Sequence, residues 1–252
     1  MSQLETHDVV DDENYEIGEK NTAHRAPKRV VHGKNLVHSI LREGFVCHVG
    51  FDVAGYPAVV PSTYGFKNET IYLHSHPSAR LHAAAAKAGK VGVPVCVTVT
   101  HVDGLWMGPT PLMHAVNYRS VVVYANAKAV TDREEKVAAL KILLDHAIPG
   151  REVEFDNDFA LKFPSEDDDV KKTGVVAISL VAEGSWVSAK TSNHDPVTPG
   201  SGLLKCPVVG DPEADPPHWQ GLIPIRQVYG PPVRESDVDI PDYVVNYRRP
   251  KN

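Results

Sequence analysis

The chain has 252 residues, of which 42% are hydrophobic and 23% are charged, and its formal net charge at pH 7 is −6. This length allows one large domain with a full hydrophobic core. The negative charge argues against a nucleic-acid-binding protein, because such proteins need a concentrated basic surface. No stretch approaches 18 consecutive apolar residues, so we expect no segment that spans a membrane.

The three cysteines give no sign of a disulfide framework. Cys47, Cys96 and Cys206 are odd in number and form no CxxC pair, and the first two lie in apolar, β-like runs that are typical of buried thiols. The first twenty residues are acidic and polar, unlike a secretory signal. We therefore expect a cytoplasmic protein, because thiols stay reduced in that compartment.

The first part of the chain predicts an arm, a helix and three strands. Residues 1–25 lack periodicity and carry many acidic side chains, which predicts a flexible arm. Residues 34–43 predict a helix, since their apolar residues fall on one face and Gly44 follows as a stop. Runs of β-branched and aromatic residues separated by turns then predict strands at residues 45–51, 56–66 and 70–75.

A helix interrupts the strands at residues 77–87, where alanine predominates. Pro77 suits the first turn of this helix, because the amide that proline lacks has no partner there. Ser75 is placed to cap the start and Gly89 to end the helix.

The second half of the chain predicts further strands, one helix and a long irregular region. The strands are expected at residues 93–102, 105–108, 117–130, 175–180 and 186–189. Asp132 is placed to cap a helix at residues 134–146. Residues 191–215 are rich in proline and glycine and predict an irregular insertion, and residues 233–252 predict a polar tail.

The order of these elements indicates a mostly β fold. Strands and helices do not alternate regularly, so a parallel, doubly wound sheet is not expected. A mostly antiparallel barrel with peripheral helices fits the pattern better.

The familiar motifs of several enzyme classes are absent. The thirteen histidines show no established zinc spacing and no HExxH motif, so we expect no bound metal. The chain also lacks the GxSxG motif of many hydrolases and the glycine-rich loops of nucleotide-binding folds.

Two segments suit a ligand site. In residues 72–81 a strand end runs into a helix start, where Ser78, Arg80 and free backbone amides would converge on a phosphate. The alternative is a capped helix with a surface arginine. Residues 117–123 place polar groups at the mouth of an apolar strand, which suits either the rim of a ligand site or an ordinary start of an edge strand.

Taken in order, several segments resemble one family. They include residues 45–51 (FVCHVGF), 71–74 (IYLH), 78–81 (SARL), 117–123 (NYRSVVV) and 219–224 (WQGLIP). The chain resembles the pyridoxamine 5′-phosphate oxidase-like, flavin-nucleotide-binding family, in the branch that includes the 5-nitroimidazole resistance reductases. The resemblance extends over about residues 26–232, which we take as one FMN-binding domain.

The resemblance implies a six-stranded antiparallel split β-barrel that forms a homodimer, with FMN bound at the subunit interface. It places Ser78 and Arg80 at the FMN phosphate and His74 beside the flavin, as a proton donor or only as a hydrogen-bond partner. The other residues that it places around the ribityl chain and the ring are Pro61, Ser62, Tyr64, Ser75, Thr98, Asn117, Tyr118, Arg119, Ser120 and Val121.

Two departures from the family pattern bear on function. Family members often carry Gly-Arg-Lys where this chain has Ser78-Ala79-Arg80, so one phosphate-facing cation is missing. The Arg-Leu-His element that holds the substrate phosphate in true pyridoxamine phosphate oxidases is replaced by residues 222–226 (LIPIR). We therefore expect an FMN-dependent oxidoreductase acting on a different small molecule. The alternatives are a non-catalytic flavin carrier or redox sensor, and a split barrel that binds haem.

Overall fold

The computed structural model describes residues 13–24, 29–108, 114–151, 168–191, 221–233, 235, 237 and 239–247. Ten strands form one sheet, and all of their pairings are antiparallel. The strands are β1 (Val30–Val31), β2 (Val46–Val53), β3 (Tyr56–Thr63), β4 (Gly65–Lys67), β5 (Thr70–Ser75), β6 (Val93–Met107), β7 (Ala115–Ala129), β8 (Gly174–Ser179), β9 (Trp186–Lys190) and β10 (Gly221–Pro224).

The sheet runs in the order β3-β2-β6-β7-β8-β5-β4. In addition, β10 pairs with β6, β9 pairs with β7, and β1 pairs with β9. The predicted fold class, mostly antiparallel β with peripheral helices, is confirmed, and the topology is consistent with a split barrel. Four of the strands (β1, β4, β9 and β10) have only two to five residues, so the six longer strands equal the predicted number.

Most predicted strand ends differ from the structure by one or two residues, and in two places the division of the chain into strands differs. The run at residues 56–66 is divided at Tyr64 into β3 and β4. The runs at residues 93–102 and 105–108 form the single strand β6, which passes the predicted turn with a shift of register between Val102 and Gly104. A β-bulge can absorb an extra residue without ending a strand, and this explains the difference.

Alternation along the strands separates two faces of the sheet. Cys47, Val49 and Phe51 of β2 are buried, whereas the intervening His48 is exposed. We call these the inner face and the outer face. Because residues directly opposite each other share a face, the pairing of β2 with its neighbours assigns side chains of β3 and β6 to the same two faces. The core lies on the inner face.

Three helices pack against the sheet: α1 (Lys34–Glu43), α2 (Arg80–Ala88) and α3 (Arg133–Ala147). The predicted bounds of α1 are confirmed, and its Ile40 and Leu41 are fully buried. Asp132 caps α3 as predicted, since its Oδ1 accepts a hydrogen bond from the amide of Glu135 at 2.8 Å. Two short helices are α4 (Asp168–Lys172) and α5 (Asp242–Val245).

Part of the predicted N-terminal arm is packed against the fold. Tyr15 lies against α1 and is only 5% exposed, Asn14 pairs with Gly33, and Asn21 donates to the carbonyl of Val187 in β9 at 3.0 Å. The Tyr15 hydroxyl donates to Glu69 Oε2, and His38 Nε2 lies 2.9 Å from both of these oxygens. Residues 1–12 lie outside the described part of the chain.

The C-terminal part is described only in places. The predicted insertion lies outside the described residues from residue 192 onward. In the predicted tail, the Tyr243 hydroxyl lies 2.6 Å from Arg151 Nη1, and the Tyr247 hydroxyl donates to the carbonyl of Ala147 at 2.8 Å. None of the helices in the described ranges combines the length and the apolar character needed to cross a membrane.

Candidate functional site

A pocket of about 330 Å³ lies between the inner face of the sheet and the start of α2. We call it the inner-face pocket. Its volume falls within the range of small-molecule sites, about 300–1,000 Å³. Most of its wall is apolar, and polar side chains lie around it. The lining residues are Val49, Phe51, Ala58, Val60, Ser62, Leu73, His74, Ser75, Ala79, Arg80, Leu81, His82 and Val176.

Four of the predicted site residues line this pocket together: Ser62, His74, Ser75 and Arg80. They come from β3, from the end of β5 and from the first residue of α2, so three separate elements converge here. His74 is exposed at the end of its strand, and its imidazole makes no hydrogen bond within the described residues.

The start of α2 differs from the prediction. The helix begins at Arg80 and its N-cap is Ala79, which offers no side-chain hydrogen bond. Ser75 therefore does not cap the helix, and Pro77 lies before its first turn. A turn closed by the Ala79 amide on the His76 carbonyl, at 2.8 Å, precedes the helix and delays its start.

The Ser78 hydroxyl, predicted at the phosphate, is bonded locally. Its Oγ lies 2.7 Å from His76 Nδ1, and the Ser78 amide donates to the same nitrogen at 3.2 Å. Because that nitrogen accepts from the amide, the hydroxyl also acts as a donor to it. Ser78 is exposed beside the pocket, and its proton is engaged by His76.

His82 is a pocket residue that the sequence did not single out. Its Nδ1 lies 3.1 Å from the carbonyl oxygen of Pro77. Its ring also lies against Gly174, where a Cβ atom would be 2.6 Å from His82 Cδ2. Its position in the first turn of a helix that follows an anion-binding pattern is the signal that could have identified it.

Three predicted residues lie on the outer face instead. Pro61 and Thr98 both pair with the exposed His48, which places them on its face. Ser120 pairs with Thr100 and Lys190 in the same way. Within one chain these residues are on the opposite side of the sheet from the inner-face pocket.

Three others are buried in the body of the fold. Tyr64 is 1% exposed, and its hydroxyl donates to the Leu41 carbonyl at 2.5 Å. Val121 belongs to the hydrophobic core, and Asn117 is fully buried next to the bulge in β6. None of the three lines the inner-face pocket.

Arg119 forms an ion-pair network at the end of the sheet next to α1. Its guanidinium donates to both carboxylate oxygens of Glu43, at 2.9 and 3.1 Å, and to both of Asp103, at 2.9 to 3.2 Å. Burial alone would lower the pKa of Arg119, but the hydrogen bonds to Asp103 and Glu43 outweigh it and raise the pKa. Its donors are therefore committed to protein carboxylates.

Tyr118 contacts the ammonium group of Lys190 on the outer face. Lys190 Nζ lies 3.6 Å from the centre of the Tyr118 ring and donates to the Tyr118 carbonyl at 2.9 Å. Burial, together with the positive charge of Arg29, lowers the pKa of Lys190. Polar groups do gather where the sequence predicted a rim, but they lie away from the inner-face pocket.

The described part of the chain contains no group of three or more His, Cys, Asp or Glu side chains able to hold a metal ion. Cys47 and Cys96 are free thiols. Burial raises the pKa of Cys47 to about 12.

A family model described as pyridoxamine 5′-phosphate oxidase matches residues 34–183 of the chain. No curated protein matches the sequence. The resemblance identified from the sequence is confirmed by the family match.

Solved structures extend the likeness beyond that segment. The flavocytochrome Anf3 from Azotobacter vinelandii is 24% identical with a TM-score of 0.72, and the match covers 92% of this chain and 98% of Anf3. An FAD- and haem-binding protein from Mycobacterium smegmatis is 21% identical with a TM-score of 0.70, covering 88% and 98% of the two chains. A proposed 5-nitroimidazole antibiotic resistance protein from Bacteroides thetaiotaomicron is 24% identical with a TM-score of 0.48, covering 64% and 86%.

Proposed function

The chain belongs to the pyridoxamine 5′-phosphate oxidase family, and from that premise we propose that it is an FMN-binding oxidoreductase acting on a small molecule. One observation carries the proposal. Ser62, His74, Ser75 and Arg80, which the sequence assigned to FMN, line a single pocket although they come from three elements. A planar ring needs an apolar wall and a phosphate needs a cation, and the inner-face pocket offers both.

Each part of the pocket has a role in this proposal. Arg80 binds the phosphate through its guanidinium, and the apolar wall that includes Val49 and Phe51 excludes water from the ring. His74, whose imidazole has no hydrogen bond within the described residues, holds a proton beside the ring or donates a hydrogen bond to it. A bound flavin would supply the hydride or electron-pair transfer.

The outer face supports a homodimer as part of the same proposal. Pro61, Thr98 and Ser120 face away from the pocket of their own chain, so they reach a flavin only if a second copy presents them to it. The apolar side chains of Val46 and Val59 on this face are 45% and 65% exposed. Burial of this face by a second copy would remove their apolar surface from water.

Sedimentation velocity tests the dimer. We expect the mass of two chains at micromolar concentration, and Val59→Glu should shift the protein toward the monomer because a buried charge is costly. A wild-type monomer at all concentrations would contradict the dimer.

The absorbance spectrum of the purified protein tests the cofactor. We expect flavin bands near those of free FMN. The protein as isolated, or after reconstitution with FMN, should be reduced by anaerobic illumination with EDTA as the electron donor and reoxidised by an added acceptor. A protein that is colourless and does not bind added FMN would rule out the proposal. A protein that binds flavin without passing electrons to acceptors would instead be a carrier or sensor.

A second candidate function is haem binding, alone or beside a flavin. Anf3 is described as a flavocytochrome and the Mycobacterium smegmatis protein as binding FAD and haem, and both resemble this chain over nearly its whole length. An intense Soret band in the isolated protein, or after addition of haemin, would favour this candidate. Absence of the band under both conditions would exclude it.

A further inference from the structure

Within the described residues, one ring nitrogen of His82 is hydrogen-bonded and the other is not. Its Nδ1 lies 3.1 Å from the Pro77 carbonyl oxygen. A carbonyl only accepts hydrogen bonds, so Nδ1 carries the hydrogen. Nε2 has no hydrogen-bond partner within the described residues. Nε2 is therefore the ring nitrogen left to contact a ligand, and His82 belongs to the lining of the inner-face pocket.

Gly174 fixes where this ring lies. A Cβ atom at position 174 would be 2.6 Å from His82 Cδ2 and 2.9 Å from Nε2, so only glycine leaves room for the imidazole. Gly174 pairs with Ser75, which also lines the pocket. The imidazole is thus held at the Ser75 end of the pocket by two contacts that do not involve a ligand.

The charge in the pocket does not balance a phosphate. Among its described lining residues Arg80 is the only lysine or arginine, and none is a carboxylate. A phosphate monoester carries about −1.5 to −2 at neutral pH, so one guanidinium leaves about half to one negative charge uncompensated by the side chains of this chain. Histidine is the side chain that supplies a second positive charge between about pH 5 and 8.

We propose that His82 is the second cation of the phosphate site. Nε2 takes up a proton and donates to a phosphate oxygen, while the Nδ1 hydrogen remains on the Pro77 carbonyl. This inference rests on the proposed function, because it requires a phosphate-bearing ligand in the inner-face pocket.

The other charged and titratable residues of this region come from the elements next to the ring. Arg80 precedes His82 on α2, His74 lies on β5 in the lining of the same pocket, and His76 lies in the turn before α2. Lys171 and Lys172 precede Gly174 in the sequence. A phosphate beside Nε2 favours the protonated imidazole over the neutral one, so the contribution of His82 to FMN affinity should increase as the pH falls.

Two substitutions distinguish the roles of the two ring nitrogens of His82. His82→Asn keeps an amide near Nδ1 to donate to Pro77 but removes Nε2, whereas His82→Gln places an uncharged amide near Nε2. FMN affinity is measured by quenching of flavin fluorescence from pH 5.5 to 8.5, with riboflavin as the ligand without phosphate. Because FMN ionises in this range, each variant is compared with wild type at the same pH.

We expect wild type to bind FMN at least about tenfold more tightly than His82→Asn at pH 5.5, in keeping with a lost charge-assisted bond. The ratio should approach one at pH 8.5, and riboflavin should show no such dependence. His82→Gln should give a ratio that varies little with pH. Thermal unfolding of each variant shows whether the fold is kept.

A constant ratio of wild type to His82→Asn across the pH range would overturn the role of His82 while leaving FMN binding intact. The role is also overturned if His74→Asn, rather than His82→Asn, removes the pH dependence. A wild-type protein that binds no FMN at any pH would overturn both this inference and the proposed function.

Discussion

His82 and Gly174 are in contact across the gap between α2 and β8, and a Cβ atom on Gly174 would lie 2.6 Å from His82 Cδ2. The Gly174→Ala substitution should therefore displace the ring. We expect a loss of about 1–3 kcal/mol in the free energy of unfolding, as for other overpacked sites, together with weaker FMN binding. Chemical denaturation and flavin titration measure the two effects. Gly230→Ala is the control, because a Cβ atom there has open space around it; equal effects at the two positions would contradict the prediction.

Arg80→Ala should weaken FMN binding by about 1.5–3 kcal/mol, because a phosphate loses a charge-assisted partner. Arg133→Ala is a matched control, since Arg80 and Arg133 are both exposed and each is the first residue of its helix. Arg133 does not line the inner-face pocket. Isothermal titration of both variants with FMN checks the prediction. Full retention of FMN by Arg80→Ala would show that the phosphate lies elsewhere.

Arg119→Ala should destabilise the fold by about 2–4 kcal/mol, because it leaves Glu43 and Asp103 partly buried without their cation. Arg119→Lys should restore part of the loss, since a lysine keeps the charge but not the two-pronged geometry. The midpoint of urea denaturation reports both changes. If Arg119→Ala left the denaturation midpoint unchanged, the network would contribute no more to stability than an exposed surface ion pair.

The N-terminal segment should loosen in acid. Burial alone would raise the pKa of Glu69, but hydrogen bonds from Tyr15 and His38 and the charges of His38 and Lys34 outweigh it and lower the pKa. A carboxyl with a lowered pKa stabilises the fold above its unfolded pKa, and this contribution is lost as the pH falls through the lowered value. Protection factors for amide hydrogen exchange at residues 13–24, which correct for the intrinsic pH dependence of exchange, should therefore fall below about pH 4. Tyr15→Phe should show a shallower pH dependence; an identical profile would exclude this contact as the cause.

Cys47 should resist thiol reagents in the native protein. Burial raises its pKa to about 12, so almost no thiolate is present at pH 8. Cys96 is half-buried on the outer face, and burial raises its pKa as well. Iodoacetamide labelling followed by peptide mass spectrometry should show Cys96 modified before Cys47, and both modified rapidly in denaturant. Native labelling of Cys47 at the denatured rate would contradict its burial.

The sequence predicted correctly those helix and strand boundaries that depend on residues at the boundary itself. The bounds of α1 and β5 follow from a glycine stop and from turn residues, and both agree with the structure. The start of α2 was placed three residues early, because a proline next to potential capping residues looks the same whether it opens the helix or precedes it. The Ser78 hydroxyl was assigned to a phosphate for the same reason, although His76 engages it.

The long-range partners could not be read from the sequence. Arg119 meets Glu43 across 76 residues, and only the completed sheet brings them together. The Tyr64 hydroxyl likewise donates to the carbonyl of Leu41 in α1, which is 23 residues away in the sequence. The division of the predicted site, however, was open to inference: Pro61 and Ser62 are neighbours on one strand, and neighbouring side chains of a strand point to opposite faces. The two side chains therefore lie on opposite faces of the sheet, and this alternation alone would have divided the predicted site into two groups.

The pairing of β2 with β3 runs unbroken over eight residues of each strand, from Val46 opposite Thr63 to Val53 opposite Tyr56. Inserting or deleting one amino acid within either strand would exchange its core side for its solvent side. Substitutions, by contrast, change one position at a time and keep the alternation. Divergent descendants of this gene should therefore differ in length at the loops and keep a constant residue count within positions 46–53 and within positions 56–63.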